Sequence, residues 1–114
     1  RLFAMVGRYT PPPDGVAPPT LWGDPNVIRE RLGDAVRDVR FDRDTMLVPS
    51  LSPQHSRQAS ERTAGPIIKL VERLRDAHPE RLEAFRHEYD ALAAEFFADN
   101  TVRQGFLMTR ATKN

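Results

Sequence analysis

At 114 residues, with no cysteine, the chain has the size of one domain and excludes disulfides, thiolate catalysis and cysteine metal sites. Seventeen basic residues against sixteen acidic ones leave a net charge of +1, with both signs mixed through most of the chain; no basic face for nucleic acid or anionic lipid is evident. No apolar run approaches the roughly 18–20 residues that a membrane span needs, and the lack of thiols fits a cytoplasmic protein.

The chain opens on Arg1 and the apolar run Leu2, Phe3, Met5 and Val6, which reads as the last turns of a helix with Gly7 near its stop. A chain that starts there, without methionine, is expected to be processed or cut from something longer. Next comes "YTPPPDGVAPPTLWGDP", with six prolines in residues 9–25 and the only tryptophan, Trp22. Prolines lock φ and push the residue before them to extended geometry. The segment therefore reads as a stiff rod with a turn at Asp14-Gly15. Tyr9 and Trp22 are expected to fold back on it, and Trp22 to hold it against the core.

Asp24 can cap, Pro25 suits a first helical position, and Val27, Ile28 and Leu32 make a stripe before Gly33, predicting a helix over 25–32. Val39 and Phe41 alternate with Arg40 and Asp42, and Met46, Leu47 and Val48 follow, which is strand grammar. The parity shifts around Asp42-Arg43-Asp44, leaving two readings: a hairpin of two short strands, or one strand bent by a bulge.

Ser52-Pro53 is a cap and first helical residue, but residues 53–62 hold only one apolar side chain beyond the proline, Ala59. They form either a poorly anchored surface helix or a loop. Two stronger helices follow. One runs from Gly65-Pro66 with Ile67, Leu70, Val71 and Leu74 inward. The other runs from Pro79 with Leu82, Phe85, Tyr89, Leu92 and Phe96, and the two are expected to pair antiparallel. Phe106, Leu107 and Met108 then read as a strand apolar on both faces; burying both would take helices on both sides and strands on both edges, more than this chain is expected to supply.

The three histidines are the natural acid–base or metal candidates. His87 could share a helix face with Glu83 and Asp90, although solvated ion pairs are the simpler reading of such charges. His78 sits at a helix joint, where capping outweighs catalysis. His55 lies among Ser52, Gln54, Ser56, Arg57 and Gln58, a polar cluster able to face a substrate. The chain contains no GxGxxG, GxxxxGK, GxSxG or HExxH pattern, so no recognised nucleotide, nucleophile or metalloprotease motif is present.

Taken in order, "VGRYTPPPDGVAPPTLWGDPNVIRERLGD", "VRDVRFDRDTMLVPSLSP", "AGPIIKLVERL" and "GFLMTRATK" resemble the C-terminal half of class I S-adenosylmethionine-dependent methyltransferases, of the type 11 and ubiquinone/menaquinone group. The resemblance covers nearly the whole chain and is sharpest at Gly7-Arg8-Tyr9, the prolines and Leu21-Trp22-Gly23. It implies an α+β fold, the C-terminal part of a Rossmann-like sheet with two or three antiparallel strands. The proline segment would follow a fifth strand, the strand with Phe41 would be the sixth, and the strand near Phe106 to Thr109 would return antiparallel. Residues 36–48 would then be one long bent strand, and residues 50–98 a mainly helical insertion within a single partial domain over 1–114. After Ser52-Pro53 this chain has His55, Arg57, Gln58 and Ser60 where those enzymes often carry aromatic residues.

In that family a glycine-rich turn after the first strand and an acidic residue at the end of the second hold S-adenosylmethionine. Residues 1–114 contain neither position, so the chain is expected to bind no cofactor and to be inactive alone. The expected partners are the missing N-terminal half and a small-molecule methyl acceptor, with Tyr9, Trp22 and His55 near that acceptor; catalytic residues are not assigned. Two other readings stand beside this one. The first is a non-catalytic α+β module that homodimerises through exposed strand edges. The second is a small binding protein with residues 53–62 as a helical lid.

Overall fold

The computed structural model describes residues 1–114 as an α+β fold of five α-helices and a three-stranded antiparallel sheet. In chain order these are α1 (Leu2–Tyr9), α2 (Pro25–Leu32), β1 (Val36–Pro49), α3 (Pro53–Thr63), α4 (Gly65–Ala77), α5 (Pro79–Phe96), β2 (Phe97–Ala98) and β3 (Thr101–Lys113), with the strands ordered β1–β3–β2. Two compact units divide the chain. A helical unit comprises Arg1–Pro13 and Leu47–Arg103, and a strand unit comprises Asp14–Met46 and Gln104–Asn114. The first boundary falls directly after the third consecutive proline.

In the helical unit the 3.6-residue stripes of α4 and α5 form the core. Ile67, Leu70, Val71 and Leu74 pack with Leu82, Phe85, Tyr89 and Ala93, and Met5 and Val6 of α1 close the cluster. Leu70 and Phe85 have no exposed surface. The apolar rhythm holds along α5 with one change at its end: Ala93 is buried, whereas Leu92 is only half-buried and Phe96 is exposed. Helix α1 runs past Gly7 to Tyr9, a correction to the expected stop. Its last turn is closed at Thr10, whose amide and hydroxyl both donate to the Val6 carbonyl.

The predicted helix starts at Asp24 and Ser52 are real caps. The Asp24 carboxylate accepts from the Asn26 amide at 2.8 Å, and the Ser52 hydroxyl accepts from the His55 amide at 3.0 Å. Residues 53–63 are therefore helical, although no side chain of α3 is buried. Gly33 ends α2 at φ +48°, the left-handed backbone that glycine adopts at least cost.

Sequence reading missed the hairpin after α5. Asp99 and Asn100 both have positive φ, +50° and +56°, as the two central residues of a type I′ turn require. This turn pairs Ala98 with Thr101 and Phe97 with Val102. Residues 36–49 are one strand, not a hairpin. Its left-handed residue is Asp38 (φ +54°), the kind of backbone a bulge introduces, and it lies upstream of the parity shift at Asp42.

Large apolar side chains stay accessible in the strand unit. The two faces of the Phe106–Met108 run are incompletely covered: Phe106 is 40% and Met108 48% exposed, while Leu107 is half-buried on the opposite face. Trp22 is not held in a core. It lies in a 3-10 turn over Pro19–Gly23 and is 54% exposed, with the Arg31 guanidinium 4.7 Å from its ring centre. A short turn rich in proline presents no continuous apolar face, so a cation stacked on the indole is what holds the ring. In the whole strand unit Ile28 is the only buried residue.

Two measurements follow from this distribution. Leu70→Ala or Phe85→Ala should cost about 2–5 kcal/mol in chemical denaturation, while Leu51→Ala, at a 76% exposed site, should change stability by less than about 0.5 kcal/mol. Trp22 fluorescence in the folded protein should be red-shifted and readily quenched by acrylamide; a blue-shifted, protected emission would contradict an exposed indole.

Candidate functional site

Of the three residues expected near an acceptor, Tyr9 and His55 belong to the helical unit and Trp22 to the strand unit. Tyr9 ends α1 and packs edge-on against Phe85, with ring centres 5.4 Å apart, while its hydroxyl donates to Glu88 at 3.0 Å. Arg8 also bonds Glu88, and the Arg81 guanidinium lies over the Tyr9 ring. Partial burial, and then the Glu88 carboxylate, raise the Tyr9 phenol above its ordinary value, so it remains a protonated donor at neutral pH. Tyr9 thus ties α1 to α5.

His55 occupies the first turn of α3 and is half-buried. Its Nδ1 accepts the Leu51 amide at 3.1 Å, so in the neutral ring the proton sits on Nε2. Buried Ser50 donates its amide to the Asn100 carbonyl and its hydroxyl to the Ser52 carbonyl. The imidazole is therefore a fixed donor beside exposed Leu51, and no acidic or nucleophilic side chain bonds to it.

The His87 grouping does not converge either, because Glu83 is bonded to Arg86 and Asp90 to Arg57. His78 forms the joint between α4 and α5, with its carbonyl accepting from Arg81 and Leu82 and its side chain making no cap bond.

What the sequence did not reveal is an ionic network on the half-buried face of α3. Arg57 reaches both Glu61 (2.9 Å) and Asp90 (2.8 Å), and Arg86 forks onto both oxygens of Glu61 at 3.0 Å. The Arg57 and Glu61 side chains are only 13% and 14% exposed, far less than the exposed pair Arg1–Glu95. Partial burial alone would push the Glu61 carboxyl up, but the hydrogen bonds from Arg86 and Arg57 outweigh it and hold Glu61 below its ordinary value. The spacing of Arg57 and Glu61, four apart, was the available signal.

In the strand unit the accessible feature is the edge of β3. Its two-residue neighbour β2 reaches only Val102, so from Arg103 onward β3 has a strand on one side alone. The Asn114 amide donates to the Ala35 carbonyl, which turns even-numbered residues of β3 toward β1 and leaves the amides of Leu107, Thr109 and Ala111 facing away. A shallow recess of about 480 Å³ lies beside this strand, bounded by Gly23, Arg43, Asp44, Thr45, Gly105, Phe106 and Leu107. Arg43 spans it to the Gly23 carbonyl at 3.4 Å, and the Asp44 carboxylate accepts its neighbour's amide at Thr45. Neither the recess nor the edge holds a pair of groups suited to proton or nucleophile chemistry.

No group of three His, Cys, Asp or Glu side chains is placed to hold a metal ion, and no helix is long and apolar enough to cross a membrane. Compared with protein-family models, curated proteins and solved structures, the chain matches none of them.

Proposed function

We propose that residues 1–114 are the C-terminal part of a cytoplasmic S-adenosylmethionine-dependent methyltransferase and complete its Rossmann-like sheet rather than performing transfer alone. The observation that carries this reading is the open edge of β3. A 13-residue strand that pairs antiparallel with β1 has, past Val102, no neighbour on its other side, and beside it Phe106 and Met108 stay exposed. In the resemblance drawn above, that position belongs to a fifth strand lying upstream of Arg1. A unit with Ile28 as its sole buried residue also has the composition of a piece waiting for a covering layer.

Methyl transfer requires the donor methyl and the acceptor atom to be held in near-attack geometry. The 114 residues contain no glycine-rich cofactor turn, so in this reading they supply the sheet's far side and contacts to a small-molecule acceptor. His55 in the helical unit and Trp22 in the strand unit each keep an accessible face for such contacts, and Tyr9 acts by fixing α1. The same open edge favours one second reading, a module that homodimerises by strand addition.

Calorimetric titration with S-adenosylmethionine separates these from an autonomous enzyme. The chain alone should give no binding heat, and joined to the half encoded upstream it should bind the cofactor and transfer its methyl group. Micromolar binding by residues 1–114 alone would overturn the proposal, as would an upstream sequence lacking a strand followed by a glycine-rich turn. A concentration-dependent dimer in light scattering would favour the second reading.

A further inference from the structure

Helix α3 packs on α4 and α5 without burying a single side chain, which sets it apart from every other helix of its unit. Its attachments to α5 are polar: Arg57 to Asp90, Glu61 to Arg86, and the Ser60 hydroxyl to the Tyr89 hydroxyl at 2.7 Å. We propose that α3 is a detachable cover, clamped to α5 by the Arg57–Glu61–Arg86–Asp90 network, which can release and uncover Tyr89 while the α1–α4–α5 core stays folded. This does not depend on the function proposed above, because it rests on the helical unit alone.

The physical reason is how the two kinds of contact fail. Apolar burial is lost only with the core, so α4 and α5 open together. A half-buried ion network depends on each charge in it, because removing one leaves its partners desolvated and unpaired. Glu61 is the member that touches both arginines. The charged groups around it are Arg57 from α3 itself and Arg86 from α5. Asp90 and Glu83 of α5 lie behind those arginines, and the α4 charges Lys69 and Glu72 pair with each other rather than with Glu61. Since the folded state holds the Glu61 carboxyl below its ordinary value, its contribution is fully present at neutral pH and is lost as pH falls through that lowered value.

Hydrogen exchange on the 114-residue chain, expressed as protection factors, tests this. Glu61→Gln should lower protection of the amides from Ser56 to Ala64 by about tenfold or more at neutral pH and leave the central amides of α4 and α5 unchanged. The double variant Glu61→Met with Arg86→Met removes both charges and should recover most of that protection. In the unmodified chain, acidification should release α3 before α4 and α5. Unchanged α3 protection in Glu61→Gln would overturn the proposal, as would loss of α3, α4 and α5 protection together in either the variant or the acid series.

Discussion

The packing of α4 against α5 around Leu70 and Phe85 is the contact on which the rest of the helical unit depends. These two side chains are fully enclosed, and nearly all of the buried apolar surface is arranged around them. Helix α1 joins through Met5 and Val6, and Tyr9 extends the same cluster by packing edge-on against Phe85 and bonding Glu88. The turn Asp99–Asn100 then folds the chain leaving α5 back into β3, with Val102 buried next to the hairpin.

What lies outside that contact is held by other means. Helix α3 carries arginine and carboxylate groups where its neighbours carry leucine, so it is docked by charge. The strand unit is held mainly by backbone ladder bonds, by caps at Asp24 and Gly33, by the ion pair Arg110–Asp42, and by guanidinium groups lying over Trp22 and Phe41. Exposed ion pairs and cation–π contacts each contribute little. Since hydrophobic burial is the dominant favourable term in folding, a unit built this way is the natural place for an added strand or layer.

Much of the helical structure was legible because its signals are local. Ser52-Pro53, Asp24-Pro25, Gly33, Gly65-Pro66 and His78-Pro79 mark helix ends by capping and φ preference, and the stripes from Ile67 and Leu82 name the core directly. Where reading failed, the missing information was tertiary. The apolar run at Phe106 showed two apolar faces but not which of them is covered, because that depends on neighbouring layers. Trp22 looked like a core side chain because size suggests burial, while the actual partner, Arg31, lies in the next helix. The Asp99-Asn100 hairpin went unread because β2 is only two residues long, too short to show a strand alternation of its own. In α3, Glu61 meets Arg86 twenty-five positions along the chain, and the spacing of Arg57 and Glu61 alone shows only half of the network.

An open edge on β3 makes a residue-by-residue demand that one experiment can answer. Amide hydrogen exchange by NMR, at a concentration where the chain is monomeric, should show an alternation along β3. Phe106, Met108 and Arg110, whose amides face β1, should be protected, and Leu107, Thr109 and Ala111 should exchange close to their intrinsic rates. Equal protection of both sets in the monomer would mean that the edge is already covered, and would contradict the claim that β3 awaits another strand.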